Sequence, residues 1–133
     1  FFIICFDHQT TLMFDYLPSQ ARFHTADETT IQKVENWLRY RMLGASTMPS
    51  ESLQFAVGMK PDAIFLLSDG ELRDNSIFML RKFNSARKDR QQVPIHCVHL
   101  ISPAGRASLE LIAKENAGTF TFVPEQGRWH WRR

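Results

Sequence analysis

The sequence predicts an α/β fold in which a doubly wound, mostly parallel sheet carries one antiparallel edge strand. Two observations lead there. Short apolar runs alternate with amphipathic stretches of about ten to fifteen residues. The most uninterrupted apolar run, Ala63-Ile64-Phe65-Leu66-Leu67, lies between two such stretches. A strand buried on both faces reads as a continuous apolar run, and a helix joining two of them is the crossover of a right-handed βαβ unit.

Residues 1–6, Phe1-Phe2-Ile3-Ile4-Cys5-Phe6, are apolar, aromatic and β-branched, which suits a buried strand. A polar turn separates them from residues 10–17, which end at Pro18 and read as the edge strand, paired antiparallel to the first. Thr25-Ala26-Asp27-Glu28 has capping-box spacing, so a helix is expected over 27–42 with Ile31, Val34, Trp37, Leu38 and Met42 turned toward the sheet. The stretch from Gly44 to Pro49 breaks that pattern, and Pro49 suits the first turn of a second helix carrying Leu53, Phe55, Ala56 and Val57. Lys60-Pro61-Asp62 then turns the chain into the central strand, which stops at Ser68-Asp69-Gly70-Glu71.

A further helix is expected over 75–88, a strand over 93–101, a last helix over about 105–116 and a last strand over 119–123, with Gly118 as the stop of that helix. The division this implies is a domain over 1–124 and a basic, aromatic tail over 125–133. In open parallel sheets ligands bind beyond the carboxyl ends of the strands, which directs attention to loops 7–9, 43–49, 68–75 and 102–105.

Composition narrows the function classes. With 133 residues, 44% of them hydrophobic and 23% charged, the chain can bury a core of its own and does not read as disordered. A net charge of +2 is too small to mark a nucleic-acid binder. No apolar stretch reaches the ~20 residues of a membrane helix, so membrane insertion of this segment is not expected, and no signal-peptide pattern is present. Cys5 and Cys97 both fall in apolar strands and read as buried free thiols, which suits a reducing compartment.

Asp69 is the sharpest chemical feature. It follows five apolar residues and precedes a glycine, so its carboxylate stands at a strand tip, where Gly70 can take a turn conformation denied to other residues. The bland alternative is a turn aspartate capping the next helix. Thr47 taken alone is a helix cap; taken with Asp69 it offers a hydroxyl and a carboxylate from neighbouring loops, the hard oxygens that Mg²⁺ prefers.

Other signals are weaker. Gly44-Ala45-Ser46-Thr47 lacks the lysine of a phosphate-binding loop. Strand alternation puts His96 on one face and Cys97 with His99 on the other, against a metal site. Ser68 and Ser102 lack the surroundings of a hydrolase nucleophile. Asp69, Glu71 and Asp74 do not form the paired Asp-x-Asp of aspartate-nucleophile phosphatases. The reading is therefore of a binding module and not an enzyme, with a phosphoryl-transfer enzyme using Asp69 as the alternative from another class.

Phe65-Leu66-Leu67-Ser68-Asp69-Gly70-Glu71, preceded by Gly44-Ala45-Ser46-Thr47-Met48-Pro49-Ser50-Glu51, resembles the second half of a von Willebrand factor A domain. Ile112-Ala113-Lys114-Glu115-Asn116-Ala117-Gly118-Thr119-Phe120 is similar to the last helix and strand of its bacterial members. The resemblance implies a Rossmann-like fold and a metal-ion-dependent adhesion site, in which Thr47 and Asp69 match the family's threonine and final aspartate. It implies Mg²⁺, or Mn²⁺ or Ca²⁺, as cofactor of the intact site and a protein ligand supplying a carboxylate as partner. The family's Asp-x-Ser-x-Ser loop is absent, and Met48 stands where bacterial relatives often have Asp. The expectation is that this chain starts at the family's second strand, without the central first strand, and binds Mg²⁺ weakly or not at all. A metal-independent interaction scaffold is the rival within binding proteins. The family's members occupy several compartments, so the resemblance fixes neither localisation nor oligomeric state.

Overall fold

A computed structural model of the chain describes residues 1–42, 44–86 and 88–125. The first strand, β1 (Ile4–Phe6), pairs antiparallel with β2 (Thr10–Leu12), Cys5 opposite Thr11. The expected edge strand over 10–17 stops at Leu12, because Phe14 and Asp15 both take left-handed backbone conformations (φ 57° each) that a strand cannot continue through. A 3-10 turn at Met13–Asp15 buries Met13 and leads to a second at Pro18–Gln20.

Helix α1 covers Glu28–Arg39. Its cap is Asp27, which accepts the Thr30 backbone N–H at 2.7 Å, in place of the expected Thr25–Glu28 capping box. The apolar stripe is also placed differently from expectation. Only Val34 is buried, Ile31 and Leu38 are exposed, and Met42 is 95% exposed beyond the helix end. The helix packs on the 13–15 turn instead of the sheet: Trp37 lies edge-on to Phe14 and donates to Asp15, which also pairs with Arg41 at 2.9 Å.

From residue 50 the chain follows the expected alternation: α2 (Ser50–Gly58), β3 (Ile64–Ser68), α3 (Ser76–Phe83), β4 (Ile95–Ile101), α4 (Arg106–Glu115) and β5 (Phe120–Pro124). Strands β3, β4 and β5 form a parallel sheet in that order, Leu66 level with Cys97 and Cys97 level with Phe120. Among the described residues, β1 and β2 form a separate sheet.

The architecture is thus mixed α/β, with the strands in two sheets and not one. The core gathers Leu53 of α2, Leu66 of β3, Met79 and Leu80 of α3, Ile95 and Cys97 of β4, and Leu109, Ile112 and Ala113 of α4. All of these strand residues point to one face. Right-handed crossovers that step in the same direction, β3 to β4 to β5, leave their helices on the same side. Double winding needs a reversal of strand order, which this sheet lacks. The opposite face keeps Phe65 at 68% and Leu67 at 53% exposure.

Two asparagines lock the helix ends. Asn84, after α3, donates to Val93 O and to Asn116 Oδ1, each at 2.8 Å, and accepts from Val93 N at 3.0 Å. Buried amides with satisfied partners hold the approach to β4 in place. The stop of α4 differs in detail from expectation: Ala117 takes the left-handed position (φ 51°), while Gly118 lies against β4. A Cβ on Gly118 would stand 1.7 Å from the carbonyl oxygen of Ile95. The tail expected over 125–133 lies, from residue 126 on, outside the described residues.

Candidate functional site

Four loops meet beyond the carboxyl ends of β1, β3 and β4. Backbone hydrogen bonds join them: Met48 N donates to Asp7 O at 3.0 Å, and Arg73 N donates to Thr47 O at 2.8 Å. The Thr47-Met48 pair therefore sits between the residue that follows β1 and the loop that follows β3.

Close approach replaces side chains at two glycines. A Cβ on Gly44 would fall 1.9 Å from Asp7 Oδ2, so the Asp7 carboxylate rests directly on the 44–48 loop. Gly105 has φ +82°, and a Cβ there would be 2.6 Å from Gly70 O and 2.7 Å from Glu71 Cα. The loop before α4 thus rides on the loop after β3. The left-handed glycine of this region is Gly105, in place of the expected Gly70, whose φ is not positive.

Thr47 and Asp69 are placed as follows. Thr47 is half-buried, and its Oγ1 lies 3.6 Å from the Cβ position of Gly70. Asp69 is exposed, one residue beyond β3, and among the described residues none donates a hydrogen bond to its carboxylate. The turn beneath it is held by Ser68, whose Oγ reaches Gly70 O at 3.3 Å and Gly70 N at 3.4 Å. The capping role that Asp69 could have played falls to Asp74. Its Oδ2 accepts Ser50 N at 2.7 Å, and its Oδ1 accepts Ser76 N at 3.1 Å and the Ser76 hydroxyl. One carboxylate therefore serves the first turns of both α2 and α3, and among the described residues Asp69 takes no part in capping.

Hydroxyl and carboxylate oxygens are the donor type Mg²⁺ takes, but the ion wants about six in near-octahedral geometry. Thr47 and Asp69 supply a sparse pair. Among the described residues no three His, Cys, Asp or Glu side chains converge where a metal ion could sit. As a protein-only cage two such oxygens do not fit a dehydrated Mg²⁺.

His96 and His99 lie on opposite faces, as strand alternation predicts. His96 stacks on Phe65 and bonds the Thr119 hydroxyl at 2.9 Å. His99 is fully buried level with Ser68, its ring beside Phe120 and Phe122. Among the described residues neither of its ring nitrogens has a hydrogen-bond partner. An open depression of about 550 Å³ next to the loops is lined by Glu71, Leu72, Arg106 and Glu110, among others.

No protein-family model matches the chain, and no curated protein matches it in sequence. The likeness to the von Willebrand factor A domain rests on the motifs alone. No helix among the described residues is long and apolar enough to cross a membrane.

Proposed function

We propose that the chain is a protein-binding module whose contact surface is the loop platform around Asp69, built like part of a von Willebrand factor A domain. The observation that carries the reading is the approach of a half-buried Thr47 hydroxyl to the Gly70 turn, its Oγ1 3.6 Å from where a Cβ of Gly70 would stand, in the turn that also carries a carboxylate no described residue engages. An exposed acid at a strand tip, which among the described residues neither caps a helix nor forms an ion pair, is available to a ligand. In this reading a hydrated divalent cation bridges Thr47 and Asp69 to a carboxylate of the partner, which completes a coordination shell that the chain leaves open.

A second reading, a metal-independent scaffold, has its own support. The loops are tied together by backbone bonds and glycine contacts that need no ion. An acidic tripeptide, Gly-Glu-Gly, titrated against the protein with and without millimolar Mg²⁺ separates the two by NMR. Shifts at Thr47 and Asp69–Glu71 only with Mg²⁺ support the first reading, and the same shifts without it support the second. Hydrolysis of p-nitrophenyl phosphate that disappears in Asp69→Ala would overturn both in favour of phosphoryl transfer.

A further inference from the structure

Asp69 is followed by Gly70, and this Asp-Gly pair occurs once in the sequence. A carboxyl one carbon removed from the main chain can close a five-membered ring on the amide nitrogen of the next residue. Three restraints ordinarily prevent that closure: a side chain on the next residue, donors that hold the carboxylate, or an amide nitrogen fixed in a helix or a strand ladder.

None of the three operates at Asp69 among the described residues. Gly70 brings no Cβ, and the nearest atom to the place one would occupy is Thr47 Oγ1, at 3.6 Å. The Asp69 carboxylate is exposed, and no described residue donates to it. The β3–β4 ladder ends at Ser68, level with His99, so the Gly70 N–H lies beyond it and reaches Ser68 Oγ at 3.4 Å. A contact that long holds the nitrogen weakly. The other acids mark the contrast. Asp7 accepts Gln9 N at 2.7 Å, Asp15 pairs with Arg41 at 2.9 Å, Asp27 accepts Thr30 N at 2.7 Å, and Asp74 is fixed by Ser50 and Ser76. Asp62 and Asp89 are exposed, but they precede Ala63 and Arg90, whose side chains shield the amide nitrogen.

We infer that Asp69-Gly70 is a self-modification site, at which the folded chain converts slowly to isoaspartate through a succinimide. Gly70 N attacks Cγ of Asp69 in its acid form. The N–Cγ bond forms, the Cγ–OH bond breaks, and the hydroxyl leaves with the amide proton as water. A second water then opens the ring. Cleavage of the N–Cγ bond restores aspartate, whereas cleavage between Gly70 N and the main-chain carbonyl of Asp69 leaves Gly70 joined through Cγ. Water alone is released and taken up. The product carries one more carbon in the chain at residue 69 and one fewer between chain and carboxylate. Gly105 lies directly against Gly70 O and Glu71 Cα, so the lengthened turn finds no slack on that side, and the acid is withdrawn toward the backbone. The inference concerns the Asp69-Gly70 linkage and is independent of what the platform binds.

The test is storage of the full chain, folded, at physiological temperature and pH for several weeks. Isoaspartate is read by methyl transfer with an isoaspartate methyltransferase and located by lost cleavage before residue 69 with an aspartate-directed protease. The expected result is isoaspartate at residue 69 ahead of Asp62 and Asp89, formed about tenfold or more slowly in Gly70→Ala. Asp69→Asn closes the same ring with ammonia as the leaving group, so it should gain the mass of an amide-to-acid exchange faster than the wild type forms isoaspartate. Cooperative melting of the stored samples shows that they stay folded. No isoaspartate at residue 69 in the folded wild type, its appearance only after unfolding in urea, an equal rate in Gly70→Ala, or an Asp69→Asn chain that keeps its mass would overturn it.

Discussion

Asp74 Oδ2 accepts the backbone N–H of Ser50 at 2.7 Å, across 24 residues of sequence. The same carboxylate accepts from Ser76, so the starts of α2 and α3 share one cap. Helix starts leave unsatisfied N–H groups, and removing a capping side chain costs about 0.5–2 kcal/mol each. Asp74→Ala is expected to destabilise the fold by about 2–3 kcal/mol in urea unfolding, and Asp74→Asn by roughly half of that. A loss within experimental scatter would show that the shared cap is dispensable.

Three glycines separate backbone need from mere presence. Gly105→Ala forces a left-handed alanine into contact with Gly70 O, and Gly118→Ala drives a methyl into Ile95 O. Each should cost more than about 2 kcal/mol. Gly70→Ala meets only Thr47 Oγ1, at 3.6 Å, and should stay within about 0.5 kcal/mol. Denaturant midpoints of the three variants give the order directly.

The thiols should react unequally. Burial pushes Cys97 up to about 12, and also raises Cys5, which is half-buried. The thiolate is the reactive form, so iodoacetamide at pH 8 should modify Cys5 first and leave Cys97 intact until the protein unfolds. Mass spectrometry of the native protein labelled first at Cys97 would contradict the burial of β4.

Acid should weaken the contact between α3 and α4. The Arg81 guanidinium, bonded to Glu115 at 2.8 and 2.6 Å, holds that carboxyl below its ordinary value. A depressed folded value contributes stability that is present above the unfolded value of 4.5 and is lost as pH falls through the folded one. Arg81→Met should return the Glu115 carboxyl to the ordinary range in an NMR titration. The pair is surface-exposed, so its effect on stability at neutral pH should be small.

The order of elements from residue 50 onward is legible in the sequence because each apolar run and stripe there sends at least one face into the core, although the run over 63–67, expected to be buried on both faces, leaves Phe65 and Leu67 exposed. The N-terminal third is less so. Ile31 and Leu38 repeat at helical spacing, and periodicity states that a helix has an apolar face without stating what that face meets. The strand break at Phe14 and Asp15 could not be foreseen either, since left-handed φ at a non-glycine residue is imposed by surroundings such as the Trp37 and Arg41 contacts to Asp15. At the platform, the sequence pointed to Thr47 and Asp69 and to the loops that hold Asp7, Asp74 and Gly105, but not to the parts those three residues play. Their parts depend on approaches between loops distant in sequence, of which the glycine before α4 was the one local sign.

The most direct measurement is paramagnetic broadening by Mn²⁺ of backbone amide resonances in the wild type, Thr47→Val and Asp69→Ala. Broadening confined to Thr47 and Asp69–Glu71, reached only at millimolar Mn²⁺ and removed by Asp69→Ala, is the result expected of a platform that offers two oxygens to a hydrated ion. Micromolar binding, or broadening centred elsewhere and unchanged in both variants, would contradict it.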